Sequence, residues 1–177
     1  MHKGGGHSIE ARGILANLDA VQEQLVVWDG TQMPHRAHGI LCRTLGLEEN
    51  RVRVIAPDVG GGFGPKAVFH PEELALPAAS VLLKRPIKWI EDRREHLIAA
   101  NHSRNQHHHI KAAVSEKGEI LAIDDVIHHD NGAYVRTHAT RVAMMTCGVL
   151  PGPYRVPGAY RAVCHFRLTN KTPAATY

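Results

Sequence analysis

A glycine-rich loop is the first candidate for chemistry, since the segment VGGGFGPK, Val59 to Lys66, places four glycines around one phenylalanine. It follows the alternating, strand-like segment RVRVIA at Arg51–Ala56. Backbone N–H groups without Cβ atoms nearby can converge on an anion, and a glycine backbone can approach a ligand closely. Phe63 would then form an apolar wall beside that ligand.

Two phosphate-binding motifs can be compared with this loop. A P-loop needs Gly-Lys followed by Ser or Thr, whereas here Pro65 precedes Lys66 and Ala67 follows it. The dinucleotide pattern G-x-G-x-x-A fits Gly62–Ala67 formally, but no acidic residue ends a second strand about 20 residues further on. The P-loop is therefore excluded, and a dinucleotide-binding domain stays a distant alternative.

The fourteen histidines raise the alternative of a metal site. His107 and His109 are two residues apart, so on a strand they share one face, with His108 on the other. With a third ligand from the facing strand, where His128 and His129 lie, they could bind zinc or nickel at the surface. Because local spacing fixes no carboxylate or cysteine nearby, a strand pair with exposed histidines is the preferred interpretation.

Gln32 follows Asp-Gly-Thr at the end of a predicted strand, where a polar side chain can face a site. By itself it would be only a turn residue before the next helix. No G-x-S-x-G pattern occurs, and no local context marks a reactive thiolate. The three cysteines, Cys42, Cys147 and Cys164, are widely spaced and form no CxxC pair, which predicts a reducing, cytoplasmic setting.

The elements that position these residues follow from hydrophobic periodicity. Gln24–Gly30 has the pattern of a buried strand, and a helix is predicted from Pro34 to a cap at Gly46. A second helix is predicted over Pro71–Lys84, with a kink or break at Pro77. The glycine loop thus connects a strand to a helix.

The later part of the chain is predicted to be mainly β-structure. Arg85–Asp92 and Arg161–Asn170 have strand patterns, and Asn105–Tyr134 has the pattern of a hairpin that turns at Ser115–Gly118. The predicted fold class is α+β, with a mixed sheet and two or three helices. A chain of 177 residues suits one domain, 1–177, with two lobes of about 1–95 and 96–177 as an option.

Composition narrows the classes of partner. Apolar residues make up 44% of the chain and charged residues 21%, as in an ordinary folded protein. The net charge of +4 is spread along the chain, which argues against a nucleic-acid partner. No apolar run of about 18 residues occurs, so no membrane span is predicted.

Several motifs, taken in their order, resemble those of a known enzyme family, the molybdenum-binding subunit of the xanthine dehydrogenase, aldehyde oxidase and carbon monoxide dehydrogenase family. The likeness extends from about Ile9 to Tyr177. It is carried by TQMPHRAHGILCRTLGLEENRVRVIAPDVGGGFGPK, PIKWIEDRREHLIAANHSRNQHHH, DNGAYVRTH, PGPYRVPGAYRAV and LTNKTPAATY. The resemblance implies part of the molybdopterin-binding domain of a molybdenum hydroxylase.

The resemblance also implies a cofactor and its contacts. The cofactor is molybdenum–molybdopterin, with the cytosine dinucleotide as one form, and no protein side chain ligates the metal directly. Gln32 matches the family glutamine that hydrogen-bonds to an oxygen on molybdenum, and Gly62, Phe63 and Gly64 match the loop over the metal and pterin. The implied reaction oxidises a neutral aldehyde or an aromatic or heterocyclic substrate with water as the oxygen source. Iron–sulfur clusters and FAD are expected on partner subunits or domains, in an oligomer.

Two departures from the family pattern limit this expectation. Xanthine-oxidising members have a glutamate where this chain has Ala67, and their substrate-binding arginine falls near Met144 and Met145, so purine substrates are not expected. The family's catalytic glutamate lies beyond Tyr177, so this chain is expected to hold no catalytic residue. It would be an inactive fragment without the remaining part of the molybdenum subunit. The alternative is a non-catalytic remnant, or a metal- or partner-binding module with the same fold.

Overall fold

A four-stranded mixed sheet holds the strand that leads into the glycine loop. The computed structural model describes residues 4–103, 105–137 and 139–176. The strands of this sheet are β1 (Gly13–Asp19), β2 (Gln24–Asp29), β3 (Val52–Ile55) and β4 (Ile87–Ile90). Their order is β3-β2-β1-β4, with β2 parallel to β3 and β1 antiparallel to both β2 and β4. The ends of β2 and β3 are therefore neighbours, which brings together the segments that follow them.

Three helices accompany this sheet in the unit Gly5–Ala100, called here the amino-terminal unit. They are α1 (Pro34–Leu45), α2 (Pro71–Leu83) and α3 (Arg93–Ala99). α1 begins with Pro34 as predicted and ends at Gly46, whose φ of 67° is a left-handed conformation that glycine accepts without a Cβ clash. α2 runs unbroken through Pro77, so the predicted break is absent. A proline removes one helical hydrogen bond, and the packed face of the helix outweighs that loss.

The core of the amino-terminal unit follows from alternation along two strands. Ile14 and Ala16 of β1 and Leu25 and Val27 of β2 are at most 4% exposed. Side chains two residues apart share a face of the sheet, so these four form one apolar layer. Leu41 of α1 belongs to the same cluster. Burial of this layer, at roughly 25 cal/mol per Å², holds the sheet against the helix.

The rest of the described chain forms a second unit, called here the carboxy-terminal unit. A long hairpin joins β6 (Gln106–Val114) to β7 (Ile120–Asp130) through a turn in which Gly118 has a φ of 81°. β8 (Ala159–Arg167) lies parallel to β7, so β6-β7-β8 is a second mixed sheet. The other elements described in this unit are β5 (His102–Ser103), α4 (Ala139–Val149) and β9 (Ala174–Thr176).

The α+β class and its mixed pairing are confirmed, but the helix count was too low. The described residues contain four α-helices, where two or three were predicted. A capping box marks the start of α3, since the Glu95 N–H donates to the Asp92 carboxylate at 2.7 Å. α4 has only Arg141 as a charged residue and includes Gly148, so its sequence carries a weak helical pattern. None of the helices in the described part of the chain has the length and apolar character needed to cross a bilayer.

The core layer can be tested by a matched pair of substitutions. Val27 is fully buried, whereas Val21 is 92% exposed in the turn between β1 and β2. Val27→Ala removes two buried methyl groups and should lower the free energy of unfolding by about 2 kcal/mol. Val21→Ala should change it by less than about 0.5 kcal/mol. Urea denaturation measures both, and equal effects would mean that Val27 is not a core residue.

Candidate functional site

The glycine loop exposes an aromatic ring to solvent, and three of its residues have positive φ angles. Phe63 has a φ of 51° and is 60% exposed. Gly61 and Gly64, at φ values of 98° and 97°, also adopt conformations that other residues rarely adopt. A left-handed conformation at a bulky residue costs on the order of 1–3 kcal/mol, and such strain is concentrated at ligand sites. The exposed, strained Phe63 therefore marks the loop as a site candidate.

Gln32 is tied to the loop through its carboxamide. The Gly64 N–H donates to Gln32 Oε1 at 3.1 Å, and the Gln32 N–H donates to the Lys66 carbonyl at 2.9 Å. Because a backbone N–H can only donate, the side-chain oxygen must face the loop and the NH₂ group must face away from it. Gln32 is exposed, and its NH₂ group donates no hydrogen bond within the described residues. Its two N–H groups are thus available as donors to a ligand.

Gly62 has a steric role that the sequence did not indicate. A Cβ atom at Gly62 would lie 2.2 Å from Gln32 Cδ, which is far inside van der Waals contact. A Cβ at Gly61 would lie 2.9 Å from a ring carbon of Phe63. The glycines therefore make room for Gln32 and Phe63, in addition to any ligand that approaches the loop.

The four residues predicted to contact a cofactor, Gln32, Gly62, Phe63 and Gly64, are brought together by these contacts. They combine a pair of fixed N–H donors, an exposed aromatic ring and a backbone without side chains. Such a set suits a flat group that carries an oxygen acceptor, and it contains no metal-ligating atom. The residues present therefore fit a pterin cofactor that brings its own metal ligands.

An ion pair with a buried ammonium group and a partly exposed carboxylate lies behind the loop. Lys66 is 1% exposed, and its Nζ donates to Glu10 Oε2 at 2.6 Å. The same carboxylate oxygen accepts the Gly60 N–H at 2.8 Å. The hydrogen bond from Lys66 lowers the pKa of Glu10, and the Gly60 N–H lowers it further. Glu10 is therefore ionised at neutral pH, opposite the Lys66 ammonium.

Two carboxyl groups share the space next to this ion pair. Burial raises the pKa of Asp29, at the end of β2, to about 6. The hydrogen bond from Glu73 and the charges of Arg12 and Lys66 lower this pKa, but by less than burial raises it. Burial also raises the pKa of Glu73, and the Asp29 charge adds to this effect. One proton shared between two buried carboxyls avoids placing two negative charges side by side.

The histidine alternative lies in the carboxy-terminal unit. His107 and His109 share a face of β6 as predicted, with their ring centroids 4.5 Å apart. His128 lies opposite His107 on β7, and His165 lies opposite His128 on β8. No group of three His, Cys, Asp or Glu side chains suited to hold a metal ion was found among the described residues. The geometry thus gives this alternative no completed ligand set.

Several residues of the site had no sequence signal of their own. Glu10 precedes Gly60 by fifty positions, and only the folded chain brings the two together. Asp29 was included only as part of the predicted strand Gln24–Gly30, and Glu73 only as part of the predicted helix Pro71–Lys84. Their contacts can be found only when it is known how β1, β2 and β3 pair in the sheet. The signal of Gln32 and Phe63 was clearer because both adjoin glycine-containing turns.

Comparison with known proteins identifies the family. The sequence model of the protein family described as the molybdopterin cofactor-binding domain matches residues 1–177. The chain belongs to this molybdopterin cofactor-binding family. It is 40% identical over 172 residues to the nicotine 6-hydroxylase large subunit of Paenarthrobacter nicotinovorans, covering 96% of this chain and 21% of that relative. It is 31% identical over 166 residues to the carbon monoxide dehydrogenase large chain of Hydrogenophaga pseudoflava, covering 93% of this chain and 20% of the relative.

Solved structures agree with the molybdopterin-binding fold. Quinoline 2-oxidoreductase from Pseudomonas putida 86 superposes with a TM-score of 0.89 at 34% identity, covering 99% of this chain and 22% of that one. The reconstituted CO dehydrogenase from Oligotropha carboxidovorans gives a TM-score of 0.90 at 29% identity, with 99% and 22% coverage. The chain spans about one fifth of the length of these relatives. Its fold matches one segment of these structures, and the family resemblance predicted from the motifs is confirmed.

The steric role of Gly62 can be tested directly. Gly62→Ala would place a Cβ 2.2 Å from Gln32 Cδ, so the Gln32 carboxamide must leave its bond to Gly64. We expect the Gln32 side-chain NH₂ resonances to move, by NMR, toward the positions of a freely rotating glutamine. The control is Gly148→Ala, because a Cβ at Gly148 meets nothing within 4 Å. Unchanged Gln32 resonances in Gly62→Ala would contradict the close packing.

The carboxyl pair predicts a dependence of stability on pH. The pKa of Asp29 is raised from its ordinary value of 3.8 to about 6, so the folded chain binds the proton more tightly than the unfolded chain does. This contribution to stability is fully present below pH 3.8 and is lost as the pH rises through about 6. Between these values the free energy of unfolding should fall by up to about 3 kcal/mol.

Asp29→Asn removes the titration of Asp29 together with its raising effect on the pKa of Glu73, since the asparagine amide can still bond to Glu73 but carries no charge. Urea denaturation at a series of pH values should show a smaller fall for this variant than for the wild-type chain. Carboxylates with lowered pKa values, such as Glu10, titrate in both proteins and cancel in the difference. Parallel pH profiles would show that Asp29 does not hold the proton.

Proposed function

We propose that Gln32, Gly62, Phe63 and Gly64 contact the molybdenum–molybdopterin cofactor of a larger hydroxylase of which this chain forms one segment. The observation that carries the proposal is the Gln32 carboxamide, whose oxygen is held by Gly64 at 3.1 Å and whose NH₂ group is left facing outward. The family match over 1–177 supports the same cofactor. When bound, the cofactor supplies the oxidation–reduction chemistry at its metal.

Each residue of the set has a distinct task in this proposal. Gln32 donates its NH₂ hydrogens to an oxygen of the cofactor, and its orientation is fixed before the cofactor arrives. Gly62 leaves space for that side chain, and Gly64 holds it. Phe63, with its exposed ring, covers an apolar side of the substrate pocket and excludes water from it. The catalytic base is proposed to lie in another part of the enzyme.

The substrate class proposed is a neutral aldehyde or an aromatic or heterocyclic molecule. Two relatives carry names that refer to N-heterocyclic compounds, nicotine and quinoline. In the carboxy-terminal unit, Met144 and Met145 are 67% and 52% exposed on α4, and both positions carry uncharged, apolar side chains. Ala67 likewise offers no charge for pairing with a purine. The uncharged side chains at these positions support a neutral heteroaromatic substrate over xanthine.

The partners proposed are the remaining part of the molybdenum subunit and subunits or domains that carry iron–sulfur clusters and FAD. The relatives are named as a large subunit and a large chain, which supports an oligomeric enzyme. The cytosine dinucleotide is the proposed form of the pterin. A cytoplasmic location is proposed as well, supported by free thiols at Cys42, Cys147 and Cys164. The two units are proposed to be lobes of a single molybdopterin-binding domain.

The role of Gln32 can be tested in the complete molybdenum-binding subunit, produced with its partner subunits. The wild-type complex should contain molybdenum by elemental analysis. Gln32→Ala should lower kcat by about 10²-fold, since one positioned hydrogen-bond donor at a reacting centre contributes a factor of that order. Gln22→Ala is the matched control, because Gln22 is exposed in the turn between β1 and β2.

Two results would contradict the proposed function. A wild-type complex without molybdenum would favour the alternative of a non-catalytic module. A molybdenum-containing complex in which Gln32→Ala and Gln22→Ala have equal rates would remove Gln32 from the site. For the substrate class, oxidation of an N-heteroaromatic probe such as quinoline should exceed that of xanthine, and the reverse order would overturn the assignment.

A further inference from the structure

Glu10 joins the two ends of the glycine loop through one carboxylate oxygen. Glu10 Oε2 accepts the Gly60 N–H at 2.8 Å, at the start of the loop, and Lys66 Nζ at 2.6 Å, at its end. The Glu10 backbone adds a third contact, since its N–H donates to the Gly60 carbonyl at 3.3 Å. These three residues, Glu10, Gly60 and Lys66, are called here the Glu10 clamp.

Lys66 transmits this constraint to the residue that faces the ligand. Its carbonyl accepts the Gln32 N–H at 2.9 Å and the Thr31 hydroxyl at 3.2 Å. Gln32 in turn accepts the Gly64 N–H at 3.1 Å. Hydrogen bonds from Glu10 to Lys66, from Gln32 to Lys66 and from Gly64 to Gln32, joined through the covalent structure of Lys66 and Gln32, therefore connect Glu10 to the loop.

Burial makes the clamp more than a surface salt bridge. The Lys66 side chain is fully buried, whereas the Glu10 side chain is 45% exposed. A buried ammonium is costly without its counterion, so the position of Lys66 depends on Glu10, its hydrogen-bonded carboxylate partner. Space is equally restricted at the other end, where a Cβ on Gly60 would lie 2.6 Å from Glu10 Cβ.

We propose that Glu10 and Lys66 are positioning residues that hold Gln32 and the glycine loop in the ligand-binding conformation before a ligand arrives. The proposal deepens the proposed function and rests on it for the identity of the ligand. Neither side chain contacts the ligand in this arrangement. Both act by fixing the position of the Lys66 carbonyl, which binds Gln32, and thereby the hydrogen bond between Gly64 and Gln32.

Amide hydrogen exchange in the 177-residue chain tests the clamp without any cofactor. Glu10→Gln leaves the side-chain shape and removes its charge. We expect exchange at the Gly60 and Gly64 amides to become about tenfold faster, the factor expected when a charge-assisted hydrogen bond is weakened. Gly64 is the informative amide, because Glu10 does not touch it. The Leu47 amide, bonded to the Cys42 carbonyl at 3.0 Å, should keep its rate.

A control variant tests whether the loss of any ion pair would change the exchange rates. Glu23→Gln breaks the exposed pair between Glu23 and Arg51, whose side chains are 68% and 41% exposed. It should leave the Gly60 and Gly64 amides unchanged. If both variants accelerate exchange at Gly64 equally, the effect is general and the proposal is wrong.

A double variant separates positioning from folding. Glu10→Gln with Lys66→Met removes both charges, and an uncharged side chain of similar length at the buried Lys66 position often leaves stability intact. The melting temperature should return toward the wild-type value while Gly64 exchange stays fast. If slow exchange at Gly64 returns together with stability, the clamp is only a structural ion pair and the proposal is overturned.

Molybdenum content in the complete subunit separates this proposal from the proposed function. Wild-type protein that holds molybdenum, beside a Glu10→Gln variant that loses at least about half of it, would support both. Wild-type protein without molybdenum would end the proposed function, while the exchange data would still decide the clamp. Equal molybdenum content together with equal Gly64 exchange in wild type and Glu10→Gln would reject the clamp alone.

Discussion

The bond between the Gly64 N–H and Gln32 Oε1 is the constraint on which the candidate site depends. It forms only because Gly62 has no side chain, since a Cβ there would lie 2.2 Å from Gln32 Cδ. It also decides which half of the carboxamide meets a ligand, because the oxygen is taken by a donor of the protein itself. A glutamine that could rotate freely would present either end, and would lose conformational entropy on binding. Here that entropy is lost during folding, when the sheet and loop form.

The buried charges around the loop explain how such a strained segment is retained. Phe63 in a left-handed conformation and the fully buried Lys66 side chain are both unfavourable by themselves. Lys66 is compensated by Glu10, and the carboxyl groups of Asp29 and Glu73 share a proton instead of carrying two charges. Burial of the apolar layer of β1, β2 and α1 offsets the unfavourable free energy of these arrangements.

Much of the fold was predictable because local signals and tertiary structure agree. The strand at Gln24–Asp29 alternates, α1 has a proline at its start and Gly46 at its end, and the β6–β7 hairpin turns at Gly118. α4 was missed because its few charged residues give little amphipathic contrast, and burial in the tertiary structure decides such a segment. The two-residue strand β5 was missed because a parallel pair with β9 has no local signature.

The residues of the candidate site likewise differ in how far local sequence signals could identify them. Gln32 and Phe63 could be selected from the sequence because each adjoins glycine-containing turns, and the order of motifs then pointed to the family. Glu10 could not be selected, since its meaning depends on a partner fifty positions away, at Gly60. Parallel pairing of β2 with β3 places Gln32 and the loop side by side, and the β1–β2 hairpin sets the path of the segment that carries Glu10. The residues that face a ligand are thus visible in short motifs, whereas the residues that position them are set by the topology of the sheet.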